Sequence, residues 1–259
     1  MYITFMRTIA ILNQKGGSGK TTTAVNLAAS LAESGRRVLI MDLDPAAAAS
    51  SWLGFKDANR GLLEVLTEGK NLVDLVQPTA IPNLDIIASS MSLSGAGKAL
   101  AGEIGVETVL RKRIAKLPAD RWDFLIKDCP PSLDLLTINA LSAAQEVLIP
   151  VEAHIMALGG LYSLTQTVEV VQERLNPGLF ICGILACRVD QRTNHSREVV
   201  ESLHQKFGKL VYKTSIRENV RLAECPSFGK PITMYASSST GAEDYRSLAR
   251  ELLKRNKQN

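Results

Sequence analysis

A glycine-rich stretch near the amino terminus carries the residue types best suited to chemistry. It comprises Lys15, Gly16, Gly17, Ser18, Gly19, Lys20, Thr21 and Thr22. Glycines let backbone N–H groups approach phosphate oxygens closely, and a helix that begins there directs its positive end at the same point. Lys20 would neutralise charge between the β- and γ-phosphates, and the Thr21 hydroxyl would ligate Mg²⁺. The stretch therefore predicts a binding site for ATP and magnesium.

Acidic residues follow two later apolar runs. Asp42 ends the run RVLIMD, and Asp44 follows two residues later, where its carboxylate could accept hydrogen bonds from a ligand at this end of the run. Asp42 is predicted to be structural, or to reach magnesium through a water molecule. Asp128 ends another apolar run, and an acid in that position is suited to holding Mg²⁺ through water. The prolines at 130 and 131 stiffen the loop that follows, beside the expected γ-phosphate.

Strands and helices alternate along the chain, and this order must position those groups. Short apolar runs predict strands at Thr8–Asn13, Arg37–Asp42, Leu84–Ala88, Asp123–Lys127, Glu146–Val151, Leu179–Arg188 and Lys209–Thr214. Helical spacing predicts helices at Gly19–Ser34, Val106–Lys116, Leu135–Ser142, Leu161–Leu175, Ser196–Phe207 and Ala242–Lys254. The alternation predicts an α/β fold, a mostly parallel twisted sheet with helices on both faces, as one domain over residues 1–259. Ligands then bind at the carboxyl ends of the strands.

The phosphate loop departs from the general pattern, which asks for glycine where Gln14 stands, and it begins with an extra lysine, Lys15. Together with the acid at 44 and the run DCPPS at 128–132, it resembles the deviant Walker A loop of the ParA/MinD superfamily of P-loop ATPases. The resemblance implies that Lys15 reaches across a dimer interface to the partner's nucleotide. It also implies that Asp44 helps to position the attacking water, so that Lys15, Lys20 and Asp44 form the catalytic set.

One segment departs from that superfamily. Ala46–Ala49 stands where the family usually has Gln-Gly-Asn after the proline, so polar contacts from this loop are missing. We expect this departure to affect the rate of hydrolysis and the switching between nucleotide states.

The last quarter of the chain is basic. From Arg188 onward, 14 Lys and Arg stand against eight Asp and Glu, while the whole chain carries a net charge of +4. Such asymmetry suggests an anionic partner, nucleic acid or lipid. The segments VDQRTN at 189–194, NVRLAE at 219–224 and PSFGKPI at 226–232 resemble the chromosome- and plasmid-partition ATPases, ParA or Soj.

This closer resemblance implies a DNA-partition ATPase in the cytoplasm, associated with the nucleoid. ATP would drive sandwich dimerisation, the dimer would bind double-stranded DNA non-specifically through Arg192 and Arg221, and a ParB-type centromere-binding partner would stimulate hydrolysis and release. Arginines on backbone phosphates give sequence-independent, salt-sensitive affinity. Lys206, Lys209, Lys213 and Arg217 are candidates for widening the basic patch.

Three alternatives remain open from the sequence. A MinD-like membrane ATPase would need an amphipathic carboxyl-terminal helix, but residues 248–259 contain leucines without a Phe or Trp anchor, so no stable membrane association is expected. An iron–sulfur carrier would need paired cysteines. The four cysteines form no CxxC pair, and odd spacing along a strand points Cys182 and Cys187 to opposite faces. A ParA-like ATPase that positions a protein cargo would have the same ATPase and nucleoid-binding chemistry as a DNA-partition ATPase, so the sequence leaves this alternative open.

Overall fold

The computed structural model describes residues 6–55, 61–154 and 157–255. Its strands are β1 Arg7–Ile11, β2 Val38–Asp42, β3 Val76–Pro78, β4 Leu84–Ile87, β5 Phe124–Asp128, β6 Glu146–Glu152 and β7 Phe180–Cys187. Its α-helices are α1 Lys20–Glu33, α2 Ala48–Trp52, α3 Gly61–Thr67, α4 Ala96–Ala99, α5 Val109–Ile114, α6 Leu135–Ser142, α7 Ala157–Arg174, α8 Asn194–Phe207, α9 Val220–Glu224, α10 Ile232–Tyr235 and α11 Thr240–Arg255.

The strands form one seven-stranded sheet in the order β3-β4-β2-β5-β1-β6-β7. Every neighbouring pair is parallel except β3 and β4. In the centre, Ile11 of β1 and Asp42 of β2 both pair with Asp128 of β5. This register aligns the carboxyl ends of three adjacent strands, so the loops that follow them meet at one edge of the sheet.

Both faces of the sheet are covered, because successive side chains of a strand point to opposite faces. On one face, Ile9 and Ile11 pack with α1, α2, α9, α10 and α11. On the other face, Ala10 and Leu12 belong to a core that includes residues of α3 to α8. The predicted α/β class, with a mostly parallel sheet between two helical layers, is confirmed. Within the described part of the chain, no helix combines the length and apolar character that a bilayer span needs.

The predicted strand at Lys209–Thr214 is wrong. Gly208–Leu210 forms a 3₁₀ turn, and only Val211 makes a bridge, to Ile184 of β7. The chain then follows the β7 edge through single hydrogen bonds, such as Tyr212 N to the Ile184 carbonyl at 2.8 Å. The ring of Tyr212 fills the space above Gly183, where a β-carbon would overlap it. The course of this segment is therefore determined by burial of the Tyr212 ring and not by a regular ladder of strand hydrogen bonds.

A bulge in β7 also overturns the predicted orientation of two cysteines. Val147 of β6 pairs with Ile181, and the next residue of β6 pairs with Gly183, so Cys182 is the extra residue. A one-residue insertion reverses the alternation of side chains. Cys182 and Cys187 therefore lie on the same face, in the core that contains Tyr212. Among the residues that the structure describes, no group of three or more His, Cys, Asp or Glu could hold a metal ion.

Candidate functional site

The phosphate loop connects β1 to α1 and depends on two left-handed glycines. Gly17 has φ 75° and Gly19 has φ 91°, values that strain any residue with a β-carbon. A side chain at Gly19 would also contact the thiol of Cys187, 3.6 Å away. Ser18 is buried, and its hydroxyl has no hydrogen-bond partner among the described residues. The loop therefore leaves backbone N–H groups and one hydroxyl available to a ligand.

Lys20 is the buried cation of this loop. Its side chain is 7% exposed, and Nζ donates a hydrogen bond to the Lys15 carbonyl at 3.3 Å. Burial lowers the pKa of Lys20, and the nearby carboxylates of Asp128 and Asp44 partly oppose that shift. A desolvated ammonium in a phosphate-binding turn is stabilised when an anion arrives, so this geometry suits a phosphate group.

Asp128 ends β5 directly below the loop. It is fully buried, and neither carboxylate oxygen makes a hydrogen bond within the described residues. Burial is the largest cause that raises the pKa of Asp128 well above its ordinary value, and the charge of Asp42 is the second. The nearby Thr21 side chain lowers this pKa and so partly offsets the shift. An unsatisfied buried carboxylate beside a hydroxyl offers the oxygen ligands that Mg²⁺ prefers. Thr21 and Asp128, which lie far apart in sequence, thus fit a magnesium ion.

Asp42 has a structural role, which matches the first of its two predicted roles. Its carboxylate accepts hydrogen bonds from Ser50 N at 2.8 Å, Ser50 Oγ at 2.7 Å and Asp44 N at 3.1 Å. Burial raises its pKa to about 6. These bonds join the first residues of α2 to the end of β2 and hold the turn that carries Asp44. Sequence patterns gave no indication of Ser50, because its partner lies eight residues earlier.

Asp44 faces the same space from the β2 side. Its carboxylate accepts a hydrogen bond from Ala46 N at 2.9 Å, and Ser89 Oγ donates to its carbonyl at 2.7 Å. The turn continues through Ala47, a non-glycine residue in the left-handed region with φ 52°. The alanine-rich segment thus keeps a tight turn, in which backbone groups rather than long polar side chains orient the acid.

The side chain of Lys15 points away from this cluster, although its carbonyl accepts the hydrogen bond from Lys20. Its Nζ pairs with Glu152 Oε2 at 2.9 Å, and its side chain is 49% exposed. Glu152 ends β6 and also pairs with Arg188 at 3.2 Å, and Arg188 adopts a left-handed φ of 54°. Neither Glu152 nor Arg188 was predicted from the sequence as a site residue. The signal that could have found Glu152 is the one used for Asp128, a charged residue at the carboxyl end of an apolar strand.

An open cleft of about 1070 Å³ extends from the phosphate loop and is called here the phosphate-loop cleft. Loop residues, Asp44 and Pro131 line its near end. Its far wall comes from residues 187–192, at the end of β7 and after it, and from residues 216–220, 222 and 223, before and within α9. Tyr245 of α11 completes the lining, and its hydroxyl lies 3.4 Å from that of Thr23. The whole cleft is large enough for a ligand the size of a nucleotide.

The two arginines predicted to contact DNA lie at the protein surface near this wall. Arg192 pairs with Asp190 at 2.9 Å and lowers the pKa of that carboxyl to about 2. Arg221 pairs with Glu224 at 3.1 Å. Arg217 is held by Asp244 at 2.6 Å and by a second acid of α11. All three arginines are therefore paired, but the Arg192 and Arg221 side chains are 85% and 63% exposed, whereas that of Arg217 is only 27% exposed.

Comparisons with known proteins agree with this arrangement. Residues 6–181 match the protein family described as AAA domain. The chain is 46% identical to the chromosome partitioning protein ParA of Myxococcus xanthus, covering 98% of this chain and 90% of that protein. It is also 46% identical to the sporulation initiation inhibitor protein Soj of Bacillus subtilis, covering 94% and 97%.

Solved structures share the fold over nearly the whole chain. Cobyrinic acid a,c-diamide synthase from Mycobacterium smegmatis with bound ADP and magnesium has a TM-score of 0.85 at 33% identity, covering 97% of this chain and 96% of that one. The cell division ATPase MinD of Pyrococcus furiosus has a TM-score of 0.80 at 28% identity, covering 96% and 98%. On identity and coverage together, this chain belongs to the ParA/Soj family of chromosome-partitioning ATPases, within the ParA/MinD superfamily.

Proposed function

We propose that this chain, acting as a single domain over residues 1–259, is a magnesium-dependent ATPase that partitions DNA. The observation that carries the proposal is the buried, unsatisfied carboxylate of Asp128 beside Thr21 and Lys20, under a loop with free backbone donors. Such a site is incomplete without a metal ion and a phosphate chain. The Mycobacterium smegmatis relative, solved with ADP and magnesium, supports the same choice of ligands.

The proposed roles follow from position. Loop N–H groups and Lys20 bind the β- and γ-phosphates of ATP, while Thr21 and Asp128 hold magnesium, which would neutralise charge on the phosphate oxygens. Asp44 accepts a hydrogen bond from the water that attacks the γ-phosphorus, and the bond to the β-phosphate oxygen breaks to yield ADP and phosphate. Ser18 adds a hydroxyl donor at the loop.

Dimerisation is proposed to depend on ATP through Lys15. Its ammonium group lies outside its own loop, at the surface, and can turn towards a second copy once its pair with Glu152 opens. Two facing phosphate chains need additional cations, so a lysine supplied by each protomer stabilises the dimer only when ATP is bound.

DNA binding is proposed to follow from dimerisation. One protomer offers Arg192 and Arg221, each paired with a carboxylate in the single chain, and a dimer doubles the number of phosphate contacts. Bound to DNA, the protein would be associated with the nucleoid in the cytoplasm. A ParB-type partner would stimulate hydrolysis and so release it from the DNA. The names of the ParA and Soj relatives support this reading.

Size-exclusion chromatography with light scattering tests the ATPase switch. We expect Asp44→Ala to form a dimer that persists in ATP and dissociates in ADP, because it binds ATP without cleaving it. Lys15→Ala should stay monomeric in both nucleotides. A monomeric Asp44→Ala protein in saturating ATP would show that the role given to Asp44 is wrong.

Binding to duplex DNA tests the second half of the proposal. Wild-type protein should bind at moderate salt with ATP, and much more weakly with ADP or without nucleotide. Arg192→Ala should lower the affinity for all sequences alike. Because the dimer loses one phosphate contact in each protomer, the slope of log affinity against log salt should fall by about two units. Equal binding in all three nucleotide conditions would contradict an ATP-controlled switch.

The structure disfavours the membrane alternative for the part of α11 that it describes. The leucines of this helix that a lipid face would need, Leu248 and Leu252, are fully buried against the sheet. A buried helix face cannot insert into lipid without unpacking the core. Flotation with anionic liposomes only in the presence of ATP would favour the alternative.

A further inference from the structure

A second open cleft, of about 1190 Å³, lies at the other end of the sheet and is called here the basic cleft. Three of its lining residues, Arg7, Glu146 and Phe180, are the first residues of β1, β6 and β7. The phosphate loop follows the last residue of β1. The two clefts therefore open at opposite ends of the parallel strands, and the basic cleft faces away from the proposed dimer contact.

Its two carboxylates are already engaged. Glu146 holds Arg7 through two bonds of 2.7 Å, with side chains only 4% and 13% exposed. Glu251 holds Arg255 at 3.0 Å and also accepts bonds from the backbone N–H groups of residues 213 and 214. Neither acid is available to neutralise further charge in the cleft.

Four more cations surround the opening. They are Lys209, Lys213, Arg250 and Lys254, all exposed. None of them makes an ion pair with a carboxylate in the described part of the chain. Several like charges around one concavity raise its potential and concentrate anions there. The function proposed above uses none of these groups.

The floor of the cleft is apolar. Phe180 is 41% exposed and Leu210 is 38% exposed, and Ile181 and Phe207 lie partly buried beside them. The phosphates of a DNA duplex could contact the cations at the rim. The duplex would not bury the apolar residues of the floor, because it is too wide and convex to enter the cleft. A polypeptide can contact both the apolar floor and the basic rim. Its apolar side chains would pack against the floor, and its carboxylates would pair with the cations of the rim.

We propose that the basic cleft binds an acidic peptide segment of a partner protein. Apolar side chains of the segment pack on Phe180 and Leu210, and its Asp and Glu side chains pair with Lys209, Lys213 and Lys254. Because the cleft lies at the far end of the strands from the phosphate loop, binding is independent of whether ATP or ADP is present. This independence separates the surface from the DNA-binding face, whose use depends on ATP.

Fluorescence anisotropy tests the proposal, with a short labelled peptide in which Glu alternates with Phe and Leu. We expect equal affinity with ATP and with ADP, and weaker binding as salt rises. The double variant Lys213→Glu/Lys254→Glu should lower affinity at least about tenfold, because each reversal replaces an attraction with a repulsion. Leu210→Asn should weaken binding while leaving the salt dependence intact.

Two controls make the result decisive. Lys98→Glu/Lys116→Glu makes the same charge change at exposed sites in α4 and just after α5, neither of which lines the basic cleft, and it should bind the peptide as the wild type does. A peptide with Gln in place of Glu should bind weakly. The proposal is overturned if the two double variants behave alike or if the Glu peptide does not bind. It is also overturned if the Lys213/Lys254 variant loses affinity for duplex DNA and keeps it for the peptide.

Discussion

Replacing Glu152 with glutamine should promote ATP-dependent dimerisation. In the single chain, Glu152 holds Lys15 at 2.9 Å and Arg188 at 3.2 Å. The hydrogen bond from Lys15 is the main cause that lowers the pKa of Glu152, so the carboxylate is ionised at neutral pH. In the dimer proposed above, Lys15 must leave this carboxylate to reach the partner's nucleotide. The pair therefore opposes the dimer, and a neutral amide would oppose it less.

The size of the effect follows from exposure. The Lys15 and Glu152 side chains are 49% and 25% exposed, and ion pairs at such sites contribute roughly 0.2–1 kcal/mol each. A symmetric dimer breaks one pair in each protomer, so the total is roughly 0.4–2 kcal/mol. The dimer dissociation constant should fall by about 2- to 30-fold. The amide of the substituted side chain would still accept one hydrogen bond, which favours the lower part of that range.

Light scattering over a dilution series in ATPγS, which slows hydrolysis, measures this constant directly. Glu169→Gln removes one carboxylate from an exposed position of α7 and serves as the matched control. The control should dimerise as the wild type does. An unchanged constant for Glu152→Gln would show that the pair does not restrain Lys15. A weaker dimer would show that Glu152 itself contributes to the contact between protomers.

Three further outcomes concern stability. Gly183→Ala places a methyl group inside the Tyr212 ring, so we expect a loss of about 3 kcal/mol, the upper part of the usual range for overpacking, in the free energy of unfolding by urea. Ser50→Ala removes a 2.7 Å hydrogen bond to the buried Asp42 carboxylate and should cost about 1.5–3 kcal/mol in the same assay. A hydrogen bond from Arg37 lowers the pKa of Asp123 below its ordinary value, so the unfolded chain binds more protons in that acid range and stability falls on acidification. Asp123→Asn should flatten this acid limb in thermal unfolding followed from about pH 5 downwards.

Much of the central sheet could be predicted from sequence, because its strands are short and buried on both faces. β1, β2 and β5 each consist of five residues, nearly all buried. Such short, continuous apolar runs are easy to recognise in a sequence, because polar turns and longer helical patterns flank them. The edge strand β3 was missed because it has three residues, ends in proline and is largely exposed. Periodicity needs a longer window than such an element provides.

Two errors have a common physical cause. The bulge at Cys182 adds one residue to β7 without any local signal, and it moves a thiol from one face to the other. The segment near Tyr212 has a strand-like composition, yet its course follows from a ring packed on Gly183, far earlier in the chain. In both cases a distant partner decides the local conformation, and propensity is a weak guide.

The amino-acid order by itself determined the chemistry of the phosphate site. Glycines at 17 and 19 permit the left-handed turn, and the carboxyl ends of parallel strands lie at one edge of their sheet, where the acids that follow them face the same ligand. Only the tertiary structure decided that Lys15 is held by Glu152, which lies 137 residues away. It alone brought together the cations of the basic cleft. Such contacts depend on which strands become neighbours and on which helix ends share a face, and both emerge only when the core packs.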